Sequence, residues 1–162
     1  MFDAAHFERL ITEDAPTAIK LHFGERGNDS YVRPALVRQV VDKVKACGGK
    51  PFITDTNTLY TGARQNAISH VDTAVEHGFD YAVVGAPLVI ADGLTGEWYG
   101  ETQINKKHFA SVKIAGGILA APSMIVMTHF KGHATAGFGG AIKNLGMGCA
   151  PGAGKMDQHK VL

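Results

Sequence analysis

"TAIKLHFGERGNDSYVRPALVRQVVDKVKACGGKPFITD", residues 17–55, decides the fold class. Its first seven residues alternate apolar and polar positions, the period of a strand, and stop at Gly24 and the polar run "ERGNDS". Val32, Leu36, Val37, Val40, Val41 and Val44 then recur at helical spacing, with Pro34 suited to a first turn and Gly48-Gly49 supplying the stop. "PFITD" is a second short strand. A strand, a helix and a strand in succession form the unit of a parallel sheet.

The alternation continues outward. "TNTLYTGAR" is a polar loop, and Ala67, Ile68, Val71 and Val75 mark a second amphipathic helix ending at Gly78. "YAVVG" predicts a third strand, which "LVIADG" extends or follows. "EWYGETQINKKHFASVKI" has two alternating runs around Asn105-Lys106, a peripheral hairpin carrying Thr102, Ile104, Phe109, Val112 and Ile114. "GGILAAP" is a short helical or turn segment, and "SMIVMT" is apolar enough for a strand covered on both faces. The expected fold is α/β, a mostly parallel sheet sandwiched by helices with a peripheral β-hairpin, in a single domain over residues 1–162.

Composition narrows the function classes. Hydrophobic residues make up 45% and charged residues 19%, the range of a folding globular chain. With 16 basic against 15 acidic residues there is no electrostatic reason to invoke nucleic acid or an anionic membrane, so a small molecule is the expected partner. Only Cys47 and Cys149 are present, with no Cys-x-x-Cys pair, which points to a reducing compartment. "MFDAAHFERL" lacks the pattern of a signal peptide and no apolar run reaches bilayer length, so a cytoplasmic location is expected. The sequence assigns no oligomeric state.

In parallel sheets, ligands bind beyond the carboxyl ends of the strands. The polar clusters fall there: His22 with "GERGNDS", Asp55 to Thr58, Asp92, and His129 to His133. "HFKGHATAGFGGAIKNLGMGCA", residues 129–150, is the densest of them. His129, His133 and His22 are candidate metal ligands, although a pair of loop histidines is also explained by one solvated ring and one bonded to a carbonyl. His133, Lys143 and Asp55 are candidate acid-base groups, because convergent titratable side chains are where pKa values get tuned. Gly137, Gly139 and Gly140 could turn the chain before a short helix, or let backbone amides and Lys143 approach an anionic cofactor. The run matches neither a P-loop nor a dinucleotide fingerprint. Asn57 and Thr58 either cap the loop or contact the same ligand. Arg33 and Arg64 could clamp a carboxylate or phosphate or pair with surface acids, and Cys149 is a thiolate ligand or a small packing residue.

"AIKLHFGERGN", "YVRP", "GGKPFITDTNTLYTGAR", "VGAPLVIADGL" and the glycine-rich stretch together resemble the bacterial and archaeal family known as domain of unknown function 362, from about Thr17 to the end of the sequence. Members often carry a following ferredoxin-type module for iron–sulfur clusters. The resemblance therefore implies a redox association, with a 4Fe-4S cluster only if such a C-terminal module follows, since "KMDQHKVL" brings no cysteines. The order His133, Gly139-Gly140, Lys143, His159 is also similar to the lactate racemase family. That similarity implies Lys143 against a nickel-pincer nucleotide, His159 as a metal ligand and His133 as an acid-base group. The expected function is a domain binding a metal (Ni, Fe or Zn) or an anionic cofactor, in a redox or acid-base enzyme, whether an oxidoreductase or a racemase-like isomerase. Two alternatives stay open. One is a non-catalytic docking domain for an electron-transfer partner, and the other a divalent-metal phosphate-ester enzyme using Asp55.

Overall fold

The structure is a computed structural model and describes residues 1–133 and 137–160. After short 3-10 turns at Asp3–Ala5 and Phe7–Leu10 come β1 (Pro16–Lys20), α1 (Pro34–Ala46), β2 (Lys50–Asp55), α2 (Ala67–Glu76), α3 (Tyr81–Val84) and β3 (Leu88–Ile90). The second half holds β4 (Tyr99–Gln103), β5 (Ser111–Ala115), α4 (Gly116–Leu119), β6 (Ser123–Val126), β7 (Lys131–His133), β8 (Gly137–Gly139), α5 (Ala141–Gly146) and α6 (Gly152–His159). β3, β2, β1 and β6 pair in that order, all parallel. β4–β5 and β7–β8 are separate antiparallel hairpins. The fold is α/β, with the β4–β5 hairpin where the alternating runs placed one.

Alternation along the strands makes the core. Ile19, Ile53 and Ile125 occupy matching positions on one sheet face and pack with Val37, Val41 and Val44 of α1, Ala74 of α2 and Val84 of α3. Each fully buried aliphatic side chain stabilises by roughly 1.5–3 kcal/mol relative to exposure. Among the described residues no helix is long and apolar enough to cross a membrane.

Three local expectations need correction. "YAVVG" is not a strand: the Asp80 carboxylate accepts from the N–H groups of Ala82 and Val83, Gly85 closes the turn in the left-handed region, and the residues between form α3. α2 follows its apolar pattern only in part: Ala67 and Val71 pack against the core, but Ile68 and Val75 are exposed, and the fully buried positions are His70, Thr73 and Ala74. β6 is an edge strand paired only with β1, and Met124 is 37% exposed, so the strand is not covered on both faces.

The sheet's second face determines the site. Ala18, Lys20 and Thr54 are fully buried there although two of the three are polar. Near the strands' carboxyl ends this face meets the segment from α5 to α6, through Asn144, Gly148 and Lys155.

Candidate functional site

The parallel register ends β1 and β2 in step, with Lys20 beside Thr54 and Asp55 one residue beyond. Lys20 is completely buried, which for an ammonium requires partners. Its Nζ pairs with Asp55 Oδ1 at 2.9 Å and donates to the Leu21 carbonyl at 3.0 Å and to Asn144 Oδ1 at 2.7 Å, which uses all three donors. Asp55 Oδ1 also accepts from the Thr56 N–H at 2.9 Å, and Oδ2 faces Arg64 Nη1 at 3.6 Å. Burial alone would raise the Asp55 pKa, but the Lys20 ammonium and the Arg64 guanidinium hold it well below the usual carboxylate range. Asp55 is thus held ionised near neutral pH as the counter-ion of Lys20.

Arg64 is 2% exposed and is spoken for on several sides. Besides Asp55, it donates from Nη2 to Glu25 Oε2 at 2.9 Å and to the Tyr60 hydroxyl at 2.5 Å, and from Nε to the same Glu25 oxygen at 3.3 Å. The "TDTNTLYTGAR" loop is therefore folded back on itself. The Thr58 N–H donates to the Arg64 carbonyl at 2.8 Å and its hydroxyl to the Tyr60 carbonyl at 3.2 Å, so Thr58 holds the loop. Asn57 ties β2 to β3: its N–H and side-chain amide both donate to Asp92 Oδ1, at 3.0 and 3.1 Å. Burial raises the Asp92 pKa, against these hydrogen bonds.

Lys155, on α6, donates to Thr56 Oγ1 at 2.6 Å and to the carbonyls of Asn57 and Ala150 at 2.7 and 2.6 Å. Burial pushes its pKa down to about 8, opposed by Asp55 and Asp92. His70 of α2 is fully enclosed, edge-on to Phe23 at 5.7 Å, and neither ring nitrogen has a hydrogen-bond partner among the described residues. Its pKa is accordingly depressed to about 4 by burial.

Above this cluster opens a cleft of about 210 Å3, walled by His22, Asn28 and Ser30 of the loop after β1, by Tyr60 and Arg64, and by Lys131 of β7. His22 is exposed in it, and its Nδ1 accepts from the Gly24 N–H at 2.9 Å. Desolvation by the cleft walls lowers the His22 pKa, with the Arg64, Lys20 and Lys131 charges acting the same way against Asp55. On α5, Lys143 has its pKa lowered by partial burial and by Lys131 and Arg64. The Lys143 charge is in turn the first cause of a lowered His133 pKa.

The expected residues therefore separate. Asp55 and Asn57 enter the buried cluster, His22 lines the cleft, and His133 feels the Lys143 charge without either of them lining the cleft. His129 is exposed after β6 and His159 is exposed at the last residue of α6. Among the described residues no three His, Cys, Asp or Glu side chains gather into a metal-binding group. Cys47 and Cys149 are free thiols, and burial raises the pKa of half-buried Cys149, which fits a packing residue better than a thiolate ligand. Gly137 (φ +76°) and Gly139 form β8, where an added Cβ on Gly139 would lie 3.2 Å from Lys143 Cδ, and Gly140 precedes α5.

Sequence reasoning passed over Lys20, His70, Lys155 and Glu25. Three signals were available: Lys20 shares its strand face with His22, His70 is four residues from buried Ala74 on α2, and Lys155 follows Gly154. A Cβ on Gly154 would come within 3.1 Å of the Lys113 carbonyl, so that glycine marks close packing.

Comparison with curated proteins and with solved structures returns no match. The chain belongs to the family described as Domain of unknown function (DUF362), whose model matches residues 17–162.

Proposed function

We propose that this domain binds a small organic anion in the carboxyl-edge cleft and that His133, on the same strand as Lys131, and Lys143 exchange protons with it. One observation carries the reading: His22, Arg64 and Lys131 converge from three separate segments on one cleft of about 210 Å3. That volume is below the range of drug-sized pockets, which favours a compact ligand. Lys143, its pKa lowered by partial burial and by Lys131 and Arg64, and His133, its pKa lowered chiefly by the Lys143 charge, are residue types suited to proton transfer. The phosphate-ester alternative has less support, because the Asp55 oxygens already face Lys20, the Thr56 N–H and Arg64, leaving little for a divalent ion.

A thermal-shift and calorimetric screen of the purified protein against small carboxylates and phosphomonoesters tests this. Ligand at a hundredfold its Kd stabilises by about 2.7 kcal/mol, a rise of roughly 5–10 °C for a chain this size. Lys131→Ala should remove most of that rise. If no anion shifts the melting temperature, or Lys131→Ala leaves the shift intact, the reading fails.

A further inference from the structure

The polar wall of the cleft separates into groups already committed to protein partners and groups left over. Arg64 is engaged by Glu25, Tyr60 and Asp55, and Glu25 by Arg64 and Tyr60. The Asn28 carboxamide oxygen accepts from the Ser30 N–H at 2.6 Å, so the Asn28 amide NH2 remains. Among the described residues Lys131 makes only a 3.4 Å contact with the Gly132 carbonyl.

His22 completes the set. An imidazole that accepts an N–H at Nδ1 must, when neutral, carry its own proton on Nε2. The donating N–H belongs to Gly24, whose backbone is held at φ +91° with atoms of His77 and Tyr31 2.6 Å from where a Cβ would lie. Those two rings are themselves stacked at 4.6 Å, and His77 Nδ1 bonds the Phe23 carbonyl at 2.7 Å. The Gly24 N–H is therefore fixed from behind, and it fixes the tautomer of His22. Nε2–H has no partner among the described residues. A protonated Nε2 has no lone pair for a metal ion, which gives a chemical reason for His22 not to be the metal ligand expected from sequence.

We infer that His22 is a fixed, uncharged hydrogen-bond donor through Nε2–H to an oxyanion of the cleft's ligand, acting with the Lys131 ammonium and the Asn28 amide. The ligand class is then a small anion presenting carboxylate or phosphoryl oxygens rather than a metal ion. This rests on the anion-binding reading above, and deepens it by naming the atom that recognises the charge.

Long-range 1H–15N spectra of the histidine-labelled protein at neutral pH report the tautomer directly, and the Nε2–H form is expected for His22. Calorimetry with succinate and with inorganic phosphate as probes, on the wild type, His22→Gln and His22→Leu, reports the contact. Glutamine places an amide donor near the Nε2 position and should bind within about threefold of wild type, whereas leucine should weaken binding about tenfold or more. Binding of succinate alone assigns a carboxylate, and of phosphate alone a phosphoryl group. Wild-type binding combined with an Nδ1–H tautomer, or with unchanged affinity in His22→Leu, overturns the role of His22. Failure of the wild type to bind either probe overturns the anion-binding reading itself, and the spectra distinguish that case from a wrong tautomer.

Discussion

His70 is enclosed beside Phe23, with both ring nitrogens unpartnered among the described residues. Burial costs a charged imidazole more than the Asp55 carboxylate returns, and the Arg64 and Lys155 charges add to that cost, so the folded protein keeps the ring neutral, with a pKa near 4 against the ordinary 6.5. The consequence for stability has a definite sign. Above pH 6.5 neither the folded nor the unfolded state binds a proton at this ring, and the stabilisation is fully present. Between pH 6.5 and about 4 only the unfolded chain takes up the proton, so stability falls as the pH drops, by up to about 3 kcal/mol. His70→Leu, which places an apolar side chain in an apolar setting, should leave stability at pH 7 within about 1 kcal/mol and flatten much of this acid limb. Urea unfolding at pH 7 and pH 4.5 measures the difference. Equal losses in wild type and variant would mean the ring is not held neutral. Asp55 works in the same direction at lower pH, since its depressed pKa gives stability that is present above pH 3.8 and lost below it.

At the scale of elements, α3 explains where sequence reading succeeds and where it stops. "YAVVG" is a short apolar run, which periodicity alone cannot assign to strand or helix. The deciding residues flank it: Asp80 bonds two orphan N–H groups and Gly85 takes φ +72°. Loss of that cap by Asp80→Ala should cost about 1 kcal/mol in denaturant unfolding, whereas a cost near zero would assign α3 to packing of Val84 instead. Longer elements were legible because their period repeats: α1 buries Val37, Val41 and Val44 as its spacing requires, and the β4–β5 hairpin turns at the polar run between its two strands. The site was legible only in part. Asp55, Asn57 and His22 stand out as polar residues just past strand ends, where a parallel sheet delivers them. Lys20 does not, because a lysine on the polar side of an alternating strand reads as solvated. What buries it is Asn144, 124 residues away, and no local pattern contains that contact. His70 is hidden for a related reason: α2 presents a partly polar face inward, with Thr73 Oγ1 donating to the Ala63 carbonyl at 3.2 Å.

Across the whole molecule, two saturated lysines hold the carboxyl edge together. Lys20 connects β1 to β2 and α5, and Lys155 connects α6 to the residues following β2. The C-terminal segment is thereby fixed over the sheet's second face, and it carries Lys143 on α5 within electrostatic reach of Lys131 and Arg64 of the cleft. Binding site and docking of the chain's end are one mechanical unit. Lys155→Met removes three donors and leaves the Thr56 hydroxyl and the Asn57 and Ala150 carbonyls without that partner, at about 1–3 kcal/mol for each group that stays buried. The segment can escape part of this penalty by opening to water, so the loss should appear first as local opening rather than global unfolding. Cys149, half-buried between α5 and α6, reports that opening through its thiol. In a Cys47→Ser background, Lys155→Met should raise the rate of Cys149 labelling by at least about tenfold under native conditions, while hydrogen exchange in α1 and β1 changes far less. An unchanged labelling rate would show that α6 is docked by the Lys113–Asp157 ion pair, 2.6 Å long, without need of Lys155.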